Sequence, residues 1–321
     1  AFKSKRILVI SEFMIDAYMI GKVNRISPEA PVPIVSLESE ENRLGGAANV
    51  ALNLQSLGAI PVLCAVVGSD KQGQVFKQLL QENQLTEEGI MVSDNRCSTV
   101  KTRVIGNSQQ LLRIDSEDTH AISEQEETAF IQKITQIISS SHVDAVIFED
   151  YNKGLLTKRV IQELIACANS KGIPTTVDPK KDNFLAYKNV TLFKPNLKEL
   201  KEGIGIDCTF QEKSKFNQAV SMLENQLNNR ISFVTLSEHG VYIKDNENEH
   251  HIPAHIRTIA DVSGAGDTVI SVATLCLCIG LSLRSIAEIS NLAGGLVCEK
   301  SGVVSIQASQ LIEECVGKEF N

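Results

Sequence analysis

The chain has 321 residues, 43% of them hydrophobic and 22% charged, and a formal net charge of -8 at pH 7. That length suits one large α/β domain or two small ones, and the apolar fraction is ample for a core, which excludes long disorder and a disulfide-stapled miniprotein. The acidic balance excludes a nucleic-acid binder working by bulk positive charge, so an anionic ligand must be held by a local cluster of donors.

Taken in chain order, residues 6–10 form an apolar run bounded by turn residues and are predicted as a buried strand. Residues 17–39, with Gly21, Pro28, Pro31 and Pro33 between short β-prone pieces, read as strands of a small subsidiary sheet. A helix over 47–57, a strand over 61–67 and a helix over 75–84 follow, and 98–115 alternates polar and apolar residues like further strands of the small sheet. Strands are then predicted over 145–148, 175–177, 190–193 and 232–236, with helices over 124–139, 158–170, 196–203 and 213–225 between them. From Asp267 the chain reads as helix almost to its end. Buried strands alternating with helices give a single α/β domain, a mostly parallel sheet with helices on both faces. The small sheet is expected as a lid over the carboxyl ends of the core strands, where ligands bind in such folds.

Eight cysteines, at 64, 97, 167, 208, 276, 278, 298 and 315, contain no CxxC pair, and Cys276 and Cys278 lie in an apolar helical run. They read as core thiols of a reducing compartment rather than as a metal site. The opening AFKSKRILVISEF lacks a secretory pattern, and no apolar run approaches the ~20 residues a bilayer span needs. A soluble, cytoplasmic protein is expected. His250, His251 and His255 crowd a short hairpin without a partnering pattern and read as surface residues.

The sharpest pattern is Asp261-Val-Ser-Gly-Ala-Gly-Asp267 ahead of a long apolar helix. Gly264, Ala265 and Gly266 carry little or no side chain, so successive backbone N–H groups can turn toward one point, and a helix beginning near Asp267 adds its positive end there. Such a nest suits the negative charge on a phosphoryl group in transfer. Asp267 beside it is placed to take a proton from an attacking hydroxyl. The plain alternative is an N-cap Asp after a Gly-rich turn. A second pattern is Gly45-Gly46-Ala-Ala-Asn49, followed by Asn53 and Leu57-Gly58.

With these two motifs in this order, the chain resembles the ribokinase-like (PfkB) carbohydrate kinases, whose C-terminal motif is DTxGAGD. The resemblance implies a ribokinase-like α/β fold with a small β-sheet lid, Asp267 as catalytic base, Gly264, Ala265 and Gly266 as anion hole, and Gly45, Gly46 and Asn49 in the sugar site. ATP and Mg²⁺ are the implied cofactors, and a K⁺ site beside the Gly-Ala-Gly turn is common in the superfamily.

Within the family, Val23-Asn-Arg-Ile-Ser-Pro-Glu-Ala-Pro-Val-Pro33 is similar to the lid segment of the D-glycero-β-D-manno-heptose 7-phosphate kinases of lipopolysaccharide precursor synthesis. So are Lys101-Thr-Arg103, Gln109-Gln-Leu-Leu-Arg113-Ile-Asp115, Asp150-Tyr-Asn-Lys153-Gly154, Val177-Asp-Pro-Lys180, Lys194-Pro-Asn196-Leu-Lys-Glu199, Thr235-Leu-Ser-Glu-His-Gly240 and the stretch from Asn291 to Gly302. The likeness runs from about residue 6 to 306. It implies phosphorylation of O1 of a heptose 7-phosphate, toward ADP-heptose.

Lys101, Arg103, Arg113, Lys153 and Lys180, at strand ends and lid positions, supply the cations a phosphorylated sugar needs. Asp16 resembles the family's sugar-hydroxyl aspartate; Asn24, Arg25 and Asp150 join the substrate set. Asn196 and Glu199 share one face of a helix, spaced equally well for a capping box. The resemblance sets them, with Leu197 and Lys198, near the ATP phosphates, with Glu199 meeting Mg²⁺ through water. It also sets Ser237, Glu238 and Gly240 along the nucleotide and Asn291 near the base.

Ser11-Glu12 replaces the family's Gly-Asp, Ala260 stands where an aromatic is usual, and Ser263 replaces Thr. A kinase of the same fold for another sugar, such as fructose 1-phosphate, tagatose 6-phosphate or ribose, is the first alternative, and a non-catalytic sugar-binding regulator a distant second. A dinucleotide oxidoreductase lacks its GxGxxG after the first strand. Relatives are often fused to an adenylyltransferase; a single kinase domain over 1–321 without that activity is expected, and a homodimer, since the lid strands offer edges a second subunit could cover.

Overall fold

The apolar runs of the sequence become strands whose alternate side chains enter two different cores, which is why they read as continuous rather than alternating. The computed structural model describes residues 2–255 and 257–316. In its first half lie β1 (Arg6–Ser11), β2 (Phe13–Ile26), β3 (Pro33–Gly46), α1 (Ala47–Ser56), β4 (Ile60–Gly68), α2 (Lys71–Glu82), β5 (Ile90–Ser93), β6 (Val100–Gly106), β7 (Gln109–Ser116), α3 (Glu124–Ser140) and β8 (Ala145–Glu149). There follow α4 (Lys158–Ser170), β9 (Thr175–Asp178), β10 (Leu192–Phe193), α5 (Leu197–Ile204), α6 (Lys213–Leu227), β11 (Ile231–Thr235), β12 (Val241–Lys244), β13 (Glu249–Ile252), α7 (Ala265–Cys278), α8 (Leu283–Cys298) and α9 (Ala308–Val316).

Nine strands form one sheet in the order β13-β12-β11-β10-β9-β8-β1-β4-β5, parallel except for the hairpin β12–β13 at one edge. Ile7, Val9, Leu63, Ala65 and Val67 face the core made with α1, α2, α7 and α8. Leu8, Ile10, Val62, Cys64 and Val66 face the core made with α3, α4 and α6. The chain winds outward from β1 to β4 and β5, then returns to β8 on the other side of β1 and continues to β11. The carboxyl ends of β1 and β8 thus mark the point where strand order reverses, the usual ligand crevice of such sheets.

The second sheet has four strands, β3-β2-β6-β7. Its bounds differ from the expected 17–39 and 98–115. β2 leaves β1 with only Glu12 between them, and β3 runs on through the polar stretch 38–43 to Gly46. Buried Phe13, Ile15 and Leu44 root this sheet in the core, with Phe13 packed on Phe76 of α2 at 4.2 Å between ring centroids. The polar middle of β3 is paired to β2 throughout, which no apolar alternation announced. Also unannounced was β5, a four-residue edge strand; the short hairpin expected around His250 and His251 is β12–β13, its turn closed by Asp245 Oδ1 accepting from the N–H groups of Glu247 and Asn248.

Candidate active site

Helix α7 begins at Ala265, near Asp267 as expected, with Gly264 capping it in the left-handed conformation, φ 78°. A Cβ on Gly264 would stand 2.8 Å from Asn49 Nδ2, so both its conformation and its neighbour require glycine. Asp267 consequently sits inside the first turn, beside N–H groups that precede the first intrahelical bond, from Thr268 N to Gly264 O at 3.0 Å.

The two distant motifs meet at this turn. Asn49 Nδ2 donates to Asp267 Oδ2 at 2.6 Å, and Tyr151 Oη donates to Oδ1 at 3.4 Å. Asn53, one turn further along α1, donates to Asn49 O and Oδ1, while its own Oδ1 accepts from Thr268 Oγ1 and Ile306 N. Burial pushes the Asp267 carboxyl up; the Asn49 bond opposes that, Asp178 adds to it, and Lys194 and Lys180 pull it down. Asn49, expected in the sugar site, here donates to Asp267.

Behind the Gly-Ala-Gly turn lies a buried charge cluster. Lys194 Nζ pairs with Asp178 Oδ2 at 2.7 Å, with both side chains almost fully covered. A Cβ on Gly266 would lie 3.4 Å from that same Asp178 oxygen and 3.7 Å from Lys194 Nζ, so the turn rests directly on the pair. Burial works against the Lys194 charge, but Asp178, bonded to it, leads the groups that offset this and hold its pKa above the ordinary lysine value. Glu149, Asp178 and Asp267 each bring one oxygen within 4.8 Å of the others.

At the start of α5, Asn196 caps the helix in a full capping box with Glu199, and also bridges to Thr235. Lys180, expected among the sugar-phosphate cations, instead pairs with Glu199 at 3.0 Å; burial opposes its charge, but Asp178 and Glu199 raise its pKa. Leu197 packs on the core and Lys198 is exposed toward Glu202. Ser237 and Glu238 lie in a short turn after β11, closed by Gly240 with φ 84°. Asn291 on α8 donates to Pro253 O at 2.9 Å. His251 packs on Phe210 and meets His239 O.

The small sheet carries the other group. Register pairs Asp16 with Arg43 and Lys101, Tyr18 with Arg103, Arg103 with Arg113, and Lys101 with Asp115, so all share one face. Arg103 Nη1 bonds Asp16 at 2.6 Å, and the guanidinium groups of Arg43 and Arg103 lie 4.8 and 5.3 Å from the Tyr18 ring centre. A Cβ on Gly45 would stand 2.5 Å from Asp16 Oδ2, which ties this face to the Gly45-Gly46 loop. Lys101 and Lys153 both pair with Glu117, linking the small sheet to the loop after β8. Arg113 pairs with Asp115. Asn24 and Arg25 lie at the exposed far end of β2.

Asp150 belongs to the scaffold rather than the sugar set: it is fully buried and accepts from Tyr187 Oη, Asn183 Nδ2 and Asn152 N. Glu12, at the altered Ser11-Glu12 turn, is buried as well and takes the N–H groups of Tyr151, Lys153, Leu155 and Leu156. Sequence reasoning assigned no role to Tyr151, Glu149, Asp178, Lys194, Tyr18 or Arg43. The available signal was position: Glu149, Asp178 and Lys194 each end or follow a core strand, where site residues gather.

A carboxylate held at a helix N-terminus, at the reversal point of a mostly parallel sheet, with a cation-bearing sheet beside it, defines a phosphotransferase with an alcohol acceptor. The family description "pfkB family carbohydrate kinase" matches residues 4–309. The chain belongs to this family. It is 37% identical over 308 residues to the bifunctional protein HldE of Methylobacillus flagellatus and 38% identical to that of Sulfurimonas denitrificans, covering 96% of this chain in both cases. It spans 62% and 64% of those relatives' lengths. Among solved structures it is similar to the tetrameric inhibited form of Escherichia coli phosphofructokinase-2, with TM-score 0.77, 20% identity and coverage of 98% of this chain and 100% of that one. It is also similar to Arabidopsis thaliana ribokinase complexed with ribose and ATP, with TM-score 0.71, 15% identity and coverage of 99% and 100%. These likenesses establish the ribokinase-like fold. Among the described residues, no helix is long and apolar enough to cross a membrane.

Proposed function

We propose that the protein transfers the γ-phosphoryl group of MgATP to O1 of D-glycero-β-D-manno-heptose 7-phosphate, giving the 1,7-bisphosphate used toward ADP-heptose. The observation that carries this reading is the 2.6 Å bond from Asn49 to Asp267, which sets a carboxylate beside the first-turn N–H groups of α7. Asp267 takes the O1 proton as the O1–P bond forms and the bond from the γ-phosphorus to the ADP oxygen breaks. The N–H groups of the Gly264–Gly266 turn balance the charge on the moving phosphoryl oxygens. An anomeric hydroxyl is more acidic than an ordinary alcohol, so a carboxylate suffices as base.

The cationic face of the small sheet, with Arg103, Lys101, Arg113 and Arg43, supports a sugar that already bears a phosphate. Asp16, set between Arg103 and Gly45, would accept from the sugar hydroxyls. Both Glu199 oxygens already accept a hydrogen bond, from Lys180 Nζ at 3.0 Å and Asn196 N at 2.8 Å. That donor set fits an Mg²⁺ ion held through its waters, where it would supply charge neutralisation at the ATP phosphates. Leu197, Lys198, Ser237, Glu238, Gly240 and Asn291 would line the nucleotide. The opposite face of the small sheet exposes Met19, Leu112 and Ile114, which supports a homodimer that covers it.

The test is ATP consumption over a panel of sugars and sugar phosphates. Turnover with heptose 7-phosphate well above that with fructose 6-phosphate is expected; preference for another sugar overturns the substrate assignment. Asp267→Asn should still bind both ligands by calorimetry and lose turnover by roughly 10² or more.

A further inference from the structure

Around Asp267 the carboxylates outnumber the ammonium groups bonded to them. Glu149 ends β8, the strand at the reversal point, and is 1% exposed. Register sets it directly beside Asp178 on one side and Ser11 on the other. Its Oε2 is buried without a hydrogen-bond partner, while oxygens of Glu149, Asp178 and Asp267 lie within 4.8 Å of one another. The nearby cations are committed elsewhere: Lys194 is bonded to Asp178 and Lys180 to Glu199. Tyr151, from the loop after β8, directs its hydroxyl to Asp267. Glu12 and Asp150 form a separate buried group, held by Tyr187, Asn183 and the backbone of residues 151–156. Three carboxylates so close, with one directly bonded ammonium among them, cannot all remain ionised out of water at ordinary cost.

We propose that Glu149 is a positioning residue of the phosphoryl-transfer site that works as the uncharged acid, holding a proton so that Asp267 carries the basic charge at the mouth of α7. Burial first, and then the charges of Asp178 and Asp267, raise the Glu149 pKa well above the ordinary glutamate range, against the pull of Lys194 and Lys180. Once Glu149 ionises, a further negative charge stands beside Asp267 and faces the incoming phosphoryl oxygens. Turnover then falls on the alkaline side by about tenfold or more. The proposal rests on the reading of Asp267 as the base.

Two measurements test it. The first is the pH profile of kcat for the natural chain and for Glu149→Gln, which copies the neutral acid. Glu149→Gln should keep its optimum kcat within about threefold and keep the acid limb, but lose the alkaline decline. An unchanged alkaline decline overturns the proposal, as does a folded Glu149→Gln protein that is at least about tenfold slower at every pH.

The second needs no substrate: thermal unfolding against pH for the natural chain, Glu149→Gln and Glu149→Met. An acid whose pKa is raised by folding stabilises the fold fully below its unfolded pKa, and that contribution is lost as pH rises toward the folded value. The Tm advantage of the neutral variants should therefore grow as pH climbs above 4.5, the ordinary glutamate value. A flat difference overturns the proton on Glu149 whatever the kinetics. Normal turnover by Asp267→Asn with a growing Tm difference overturns the base assignment, and with it the positioning role, while leaving the proton in place.

Discussion

At the carboxyl ends of β8, β9 and β10 the charged groups are buried and closely paired; Lys194 and Asp178 are 3% and 8% exposed. On the charged face of the small sheet the outer groups are open, with Arg43 and Arg113 57% and 51% exposed and each hydrogen-bonded to a carboxylate two residues away on its own strand. The first group has its geometry fixed by packing, because an unpaired buried charge is costly. The second can exchange a weak intramolecular partner for a ligand phosphate at small expense, because a solvated ion pair contributes little. On the function proposed above, bond making would sit in the rigid region and recognition in the adjustable one.

The comparison breaks most readily at Lys194. Lys194→Met leaves Asp178 charged and covered, and should cost about 3–5 kcal/mol in denaturant unfolding. A loss below 1 kcal/mol would mean that the pair is no more demanding than a surface one. Next comes Asn49→Ala, which removes the donor to Asp267. Turnover should fall roughly 10–100-fold. The acid limb of the kcat profile should also move to higher pH, since the Asn49 bond is what lowers the Asp267 pKa. Arg103→Ala acts in the adjustable region and should raise KM for the phosphorylated sugar about tenfold with kcat less affected, as Asp16 loses its partner and the phosphate a fork. The smallest effect is expected at Arg113, where Ala should change KM by less than about twofold, because at 51% exposed any bond it makes to a phosphate is screened by water. Equal effects at Arg103 and Arg113 would show that the face acts as one undivided charge.

Much of this site was legible because its parts are local. The Gly264-Ala265-Gly266-Asp267 turn and the Gly45-Gly46 loop each need small residues at fixed offsets, and Asn196 with Glu199 has the spacing of the capping box it forms. The cations of the small sheet were legible as strand residues, although not their partners. Asp150 and Lys180 both follow strands closely, and whether such a side chain turns into the core, toward Tyr187, or toward Glu199 is decided by segments that pack there from later in the chain. Glu149 carried only the signal of its place at the end of β8, and a glutamate at a strand end is ordinarily solvated.

The sequence by itself determined the alternation of strand and helix, the two-faced sheet and the Gly-Ala-Gly-Asp turn that opens α7, because periodicity, glycine geometry and capping act over a few residues. Only the tertiary structure decided that Asn49 reaches Asp267, that Lys194 is committed to Asp178, and that Glu149 is left with an unpartnered oxygen among carboxylates. Those are consequences of strand order and register, which set residues distant along the chain side by side out of water, where partners and protons are assigned by proximity.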